Sequence, residues 1–296
     1  MTDASTPGAE APGAVPARVG VLGGGRMGSG IAHAFALAGA TVVVVEADAA
    51  AADGAAGRIA QALTRSVERG TSSRALDDLL ASVSTATDAS AFADCGLVVE
   101  AVPEDPALKR EALSRVEAVI ADEAVLASNT SSLSIGGLAA GLRLPERFLG
   151  LHFFNPVPAS LLVEIVVGDA TSVPVVERAR DWVSALGKTP VVVRDAPGFA
   201  SSRLGVALAL EAIRMLEDGV ASAEDIDAAM ELGYRHPVGP LRTTDLVGLD
   251  VRLAIADELR ERLGERFAPP ELLRRMVAEG RLGRKTGRGF YEWSDA

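Results

Sequence analysis

Val19-Gly20-Val21-Leu22-Gly23-Gly24-Gly25-Arg26-Met27-Gly28 is the stretch whose reading decides the fold. A short apolar run of strand character leads straight into the glycines. Residues 27–38, which follow, are rich in Ala and other helix formers, with Gly39 as the stop. A second β-branched run, Thr41–Val45, then completes a strand-helix-strand unit of a parallel sheet. In that setting Gly23 permits the tight turn, Gly25 lets a diphosphate approach the backbone, and Gly28 allows close contact between helix and strand. Gly24, Arg26 and Met27 complete the loop, and the helix start offers unpaired N–H groups and a partial positive charge. A dinucleotide site also needs an acid at the end of the second strand, about 20 residues on. Glu46 stands there. Its carboxylate can accept from both ribose hydroxyls and repels a 2′-phosphate. No Arg or Lys immediately follows it, so the expected cofactor is NAD rather than NADP.

Outward from this unit, strand-like and helical segments alternate. Leu97–Glu100 and residues 125–127 and 148–151 read as further strands, and runs at 161–167 and 190–193 flank one more helix and extend the sheet. After Asp195-Ala196-Pro197-Gly198 the strand-like runs vanish and helical periodicity continues to about residue 279. Residues 202–217 form an almost all-round apolar helix, the kind buried in a bundle or at a subunit interface. The expected architecture is α/β. A frayed tail (1–17) precedes a doubly wound, Rossmann-type NAD-binding domain (18–196) and an all-helical domain for dimerisation and substrate (197–296).

Composition bounds the partners. The chain has 296 residues, 48% hydrophobic and 23% charged, which suits about two domains with ample core. A net charge of −11 argues against nucleic acid and anionic membranes as partners. No run approaches the ~20 apolar residues of a membrane span. The first residues, Ala/Pro/Gly-rich with no basic cluster, read as neither a signal nor a transit peptide. One cysteine, Cys95, cannot close an intrachain disulfide and reads as a small core residue, so the expected address is the cytoplasm.

Three histidines limit the acid/base candidates. His236, before Pro237, reads as structural. His152 ends a strand-like run and precedes Phe153-Phe154-Asn155-Pro156. Glu164 interrupts the apolar run Leu161-Leu162-Val163-Glu164-Ile165-Val166-Val167, where a carboxylate needs a partner unless the strand is an exposed edge. His152 on a neighbouring strand is that partner, and a His supported by a carboxylate is a general acid/base suited to neutral pH. Ser128-Asn129-Thr130-Ser131-Ser132 follows another strand and reads either as a ligand-facing loop or as a helix cap for a helix near Ser134.

With these residues in view, the chain resembles the L-3-hydroxyacyl-CoA dehydrogenase family, including bacterial 3-hydroxybutyryl-CoA dehydrogenases. The resemblance runs from the glycine loop through Ser128-Asn129-Thr130-Ser131-Ser132-Leu133, His152-Phe153-Phe154-Asn155-Pro156, Pro197-Gly198-Phe199, Glu224-Asp225-Ile226-Asp227 and His236-Pro237-Val238-Gly239-Pro240. It ends in Gly283-Arg284-Lys285-Thr286-Gly287-Arg288-Gly289-Phe290-Tyr291. It implies oxidation of a short-chain (S)-3-hydroxyacyl-CoA by NAD, a homodimer, and a place in fatty-acid β-oxidation. It implies His152 as the base, Glu164 as its partner, and Ser131 on both substrate oxygen and nicotinamide. Glu104, Lys109, Asn155 and Lys285 match NAD-contacting positions, and Arg69, which shares a helix face with Arg65, lies near a basic CoA-contacting one. Each of these Arg residues also reads as solvated surface. Ser202 stands where the family usually has an Asn that positions the substrate oxygen. Rival readings keep the chemistry on a carrier-protein thioester, carnitine or a sugar acid, or make the chain a non-catalytic NAD-binding structural protein.

Overall fold

A computed structural model describes residues 14–294, which divide between Asp195 and Ala196 into two compact units. Residues 1–13 of the expected tail lie outside the described residues. Just after them, Val15 packs against the core and Pro16 is buried.

The first unit is one sheet. Its strands are β1 (Arg18–Leu22), β2 (Thr41–Val45), β3 (Val83–Ala86), β4 (Leu97–Glu100), β5 (Val125–Ser128), β6 (Phe148–Phe153), β7 (Leu162–Val167) and β8 (Thr189–Arg194), in the order β3-β2-β1-β4-β5-β6-β7-β8. The central strands are apolar on both faces because helices cover both: Val19, Val21, Val42, Val44, Leu97 and Val99 are buried on one face and Val43, Val45 and Val98 on the other. The helices are α1 (Arg26–Leu37), α2 (Ala49–Glu68), α3 (Leu76–Ala81), α4 (Pro106–Glu117), α5 (Ile135–Ala139) and α6 (Val173–Ala185). From β1 the chain winds outward through β2 to β3, then returns to the other side of β1 as β4. That reversal opens a crevice at the C-terminal ends of β1 and β4, where ligands of doubly wound sheets sit.

Three features depart from the expected sheet. β3, four residues with Ser84 and Thr85 on an outer edge, carries too little apolar pattern to announce itself. β7 runs antiparallel to β6, a direction that a uniformly apolar run does not encode. Leu161, taken into that run, is 71% exposed and lies outside β7.

The second unit is helical: α7 (Ser201–Glu217), α8 (Ala223–Tyr234), α9 (Pro240–Val247), α10 (Leu249–Leu263) and α11 (Glu271–Ala278). Val206, Leu210, Ile213, Leu241, Leu259 and Leu273 form its core. α7 is less buried than its composition suggests, since Leu204 is 70% exposed. The C-terminal segment is held by buried Asp245, whose carboxylate accepts from Phe290 N, Tyr291 N and Trp293 Nε1, each at 2.9 Å. Tyr291 donates to Asp227 at 2.8 Å, and the Arg242 guanidinium lies 4.2 Å from the Tyr291 ring centre. No helix among the described residues is long and apolar enough to cross a membrane.

Candidate active site

The glycine loop is built by exclusion. Gly23 has φ +90°, and its N–H donates to Val45 O at 2.8 Å, tying the turn to β2. A Cβ at Gly28 would stand 1.7 Å from the Gly23 carbonyl oxygen, and one at Gly24 would stand 2.4 Å from Ala55 Cβ. Gly28 therefore secures the packing of α1 against the turn itself. Around Gly25 there is nothing within 4 Å of such a Cβ, so the smallness of this residue leaves space for a ligand. No side chain caps the start of α1, which leaves the first-turn N–H groups, those of Arg26 and Met27 among them, available to an anion. Glu46 accepts from Gly24 N at 2.6 Å through one carboxylate oxygen and from Ala47 N at 3.3 Å through the other. On the opposite edge of the same glycine, the Gly24 carbonyl accepts from Ser29 Oγ at 2.6 Å and from Arg58 Nη2 at 2.8 Å. A cradle of main-chain donors, open at Gly25 and bounded by an acid, fits an NAD diphosphate and ribose.

Beside it, the ends of β4 and β5 carry a buried ionic cluster. Glu100 is fully buried and Lys109, on α4, is 1% exposed; they meet at 2.7 Å. Lys109 also reaches Glu104 at 3.2 Å and Val102 O at 3.1 Å. Ser128 Oγ donates to the second Glu100 oxygen. Glu104 in turn accepts from Thr130 Oγ1, from Ser131 N at 3.0 Å and from Ser132 N at 3.2 Å. Burial pushes the Glu104 carboxyl up, but the Lys109 charge and the Thr130 and Ser131 donors outweigh it, so its pKa lies below the ordinary range. The serine-rich loop thus wraps a carboxylate, while Ser134 performs the helix capping by accepting from Gly137 N at 3.1 Å. Lys109 holds Glu104 and the loop in place with its ammonium fully engaged. Glu100 was missed by sequence reasoning, although a lone acid after Leu97-Val98-Val99 carries the same signal that picked out Glu164.

Two strands further, His152 and Glu164 face each other in direct register across β6 and β7. His152 Nδ1 lies 2.9 Å from Glu164 Oε2, with the His 6% exposed and the Glu fully buried. A carboxylate accepts only, so the Nδ1–H donates to it, which makes Nε2 the nitrogen able to exchange a proton with a ligand. The exposed-edge reading of Glu164 fails because β7 lies inside the sheet between β6 and β8. Asn129 Oδ1 accepts from Phe153 N at 2.8 Å, pinning the serine loop to the strand that carries His152. The Phe154 ring lies 4.4 Å from the imidazole, and exposed Asn155 follows. The structure thus gathers the glycine loop, Glu46, Glu104, Ser131, Asn155 and the His152–Glu164 pair on one unit.

The same unit has a cavity of about 720 Å³ lined by His33, Arg65, Ser66, Arg69, Pro158 and Lys188, among others. Arg65, in the last turn of α2, and Arg69, its C-cap residue, share it, as their i, i+4 spacing implies. His33 Nε2 pairs with Ser66 Oγ at 2.8 Å, and burial lowers the His33 pKa. In the other unit, Ser202 stands in the first turn of α7, and the Lys285 Nζ contacts both oxygens of Asp250 at 2.6 Å.

Residues 18–196 match the family model described as 3-hydroxyacyl-CoA dehydrogenase, NAD binding domain, and residues 198–293 match that of the 3-hydroxyacyl-CoA dehydrogenase, C-terminal domain. A 3-hydroxybutyryl-CoA dehydrogenase from Mycobacterium tuberculosis (strain ATCC 25618 / H37Rv) is 46% identical over 280 residues, 93% of this chain and 98% of the relative. The crystal structure of FadB2 from M. tuberculosis shares 45% identity at a TM-score of 0.89, covering 94% of this chain and 99% of the other. That of (S)-3-hydroxybutyryl-CoA dehydrogenase PaaH1 from Ralstonia eutropha shares 38% identity at a TM-score of 0.90, covering 95% and 100%.

Proposed function

The chain belongs to the 3-hydroxyacyl-CoA dehydrogenase family, and from that membership we propose that it oxidises a short-chain (S)-3-hydroxyacyl-CoA, such as 3-hydroxybutyryl-CoA, reversibly to the 3-ketoacyl-CoA with NAD. The observation that carries the chemistry is the buried His152–Glu164 pair in the unit that also holds the glycine loop. Binding a dinucleotide needs no acid/base pair, so the pair speaks against a merely structural NAD-binding role.

When bound, NAD supplies the acceptor for the hydride leaving C3. The residues of the chain handle the rest. His152 Nε2 takes the 3-hydroxyl proton, while donation from Nδ1 to Glu164 fixes the tautomer and stabilises the imidazolium. Ser131, held by Glu104 through its backbone, presents its hydroxyl to the substrate oxygen. Glu46 receives the ribose hydroxyls, exchanging its bond to Gly24 N for them. Glu104, Asn155 and Lys285 take the remaining cofactor positions by resemblance, while Lys109, expected there too, is buried with its ammonium on Glu100, Glu104 and Val102 O and serves the site by holding Glu104. Arg69, with Arg65 and Lys188 in one cavity, supplies local positive charge for the CoA phosphates against a chain of net −11.

The test is NADH consumption with acetoacetyl-CoA, beside a carrier-free acetoacetyl thioester and with NADPH in parallel. Fast turnover with NADH and the CoA thioester alone is the expected result. NADH binding without turnover of acetoacetyl-CoA overturns the substrate assignment.

Ser202 is proposed to steady the substrate oxygen with one hydrogen bond in place of the family's Asn. Ser202→Ala should then lower kcat by about 2–10-fold, the worth of one neutral hydrogen bond. An unchanged kcat removes the role. We further infer a homodimer through the helical unit, where Leu204, Leu232 and Tyr234 are 70%, 84% and 77% exposed. Light scattering should give twice the 30.5 kDa of one chain, and a monomeric mass at working concentration sinks the idea. A cytoplasmic address suits the single cysteine, Cys95, which is buried and whose thiol burial pushes up.

A further inference from the structure

The Gly24–Gly25 peptide is gripped from one side only. Its carbonyl oxygen accepts from Arg58 Nη2 at 2.8 Å and Arg58 Nε at 3.2 Å, and from Ser29 Oγ at 2.6 Å. Arg58 Nε also reaches Ser29 Oγ at 3.3 Å, so guanidinium and hydroxyl form one clasp around a single acceptor. A trans peptide is planar, and its C=O and N–H point to opposite sides. Holding the Gly24 oxygen toward Arg58 therefore turns the Gly25 N–H the other way. Among the described residues that N–H has no hydrogen-bond acceptor, and the space beside Gly25 is open where neighbouring glycines are tightly packed. On its other edge, Gly24 N donates to Glu46 at 2.6 Å.

We propose that Arg58 is a positioning residue for the cofactor's diphosphate: through the Arg58–Ser29 clasp it fixes the Gly24–Gly25 peptide plane so that the Gly25 N–H is presented to the anion. The inference rests on the NAD reading above. Arg58 lies 12 positions beyond Glu46, in the middle of α2, well away from the place just after β2 where a cation for a 2′-phosphate would stand. Its guanidinium is suited to the task because two of its N–H groups can bridge one carbonyl and one hydroxyl, which a lysine ammonium on a different stem cannot reproduce.

The experiment measures binding directly, by NADH fluorescence titration of the full chain and by displacement with ADP, which carries the diphosphate, and adenosine, which lacks it. Arg58→Met should weaken NADH and ADP about tenfold, the order of one charge-assisted hydrogen bond, and leave adenosine within about twofold. Arg58→Lys keeps the charge but loses the bridge, so it should fall close to Arg58→Met. Ser29→Ala should weaken ADP in the same direction, and the double variant should lose less than the product of the two, since both act on one carbonyl. Unchanged ADP affinity in Arg58→Met overturns the proposal. So does equal loss of ADP and adenosine, which marks general damage, or wild-type affinity in Arg58→Lys, which leaves charge alone as the cause. Failure of the wild-type chain to bind NADH is a different result and overturns the cofactor reading itself.

Discussion

Replacing His152 by alanine should lower kcat by about 10²–10⁴-fold, the usual range for removing a positioned general acid/base, while NADH affinity stays within about twofold. The separation of the two effects follows from the geometry. His152 contacts Glu164 and lies on β6, whereas the glycine loop and Glu46, proposed to cradle NAD, lie at the ends of β1 and β2. Glu164→Gln should cost about 10²-fold or more, because an amide offers no charge to the imidazolium and can present its NH₂ to Nδ1, selecting the wrong tautomer. Having both changes in one chain should cost little more than His152→Ala alone, since the carboxylate acts through the ring. Stopped-flow turnover with acetoacetyl-CoA, beside NADH titration of each variant, decides the matter. Activity of His152→Ala within fivefold of wild type would falsify the assignment of the base.

The largest expected loss of stability lies at Lys109. Its ammonium, 1% exposed, is the cation shared by fully buried Glu100 and partly exposed Glu104. Lys109→Met keeps the stem but strands a buried carboxylate, and removal of one partner from a buried pair costs about 3–5 kcal/mol. Urea unfolding followed on the first unit should show that loss as a lowered midpoint. Adding Glu100→Gln, which removes the orphaned charge, should recover part of it. The pH dependence has a definite sign. Glu104 is held below its ordinary pKa when folded, so its contribution is present above the unfolded carboxylate value, about 4.3, and fades as pH falls through the folded one. In Lys109→Met that acid limb should move to higher pH. A midpoint within 1 kcal/mol of wild type would show that the cluster bears little of the unit's stability.

The legible parts of this molecule are those where one residue type answers one steric or electrostatic demand. Gly23, Gly28 and Glu46 could be placed from spacing because a positive φ, a contact with no room for Cβ, and an acid at a strand end each admit few alternatives. Glu164 was legible because a charge inside an apolar run must find a partner. Glu100 obeys the same rule, but it closes its strand-like run instead of interrupting one, and so passed for a strand end. Arg58 left no signal, since its role depends on where α2 brings residue 58 against residue 24. The direction of β7 was equally silent, because alternation and apolarity are the same read in either direction. Asn155, Lys285 and Ser202 came from resemblance alone; Ser131 lay in a loop whose place after a strand left a ligand-facing and a capping reading open, and its role came from resemblance.

The reversal of β7 has a dynamic consequence. Because His152 and Glu164 are opposed across an antiparallel ladder, their separation is fixed by main-chain bonds between β6 and β7 and not by the loop that joins these strands. A change of conformation in residues 154–161 would therefore leave the opposed backbone positions of the pair in place. A motion of the sheet during turnover carries the backbones of His152 and Glu164 together, as one tooth of the ladder.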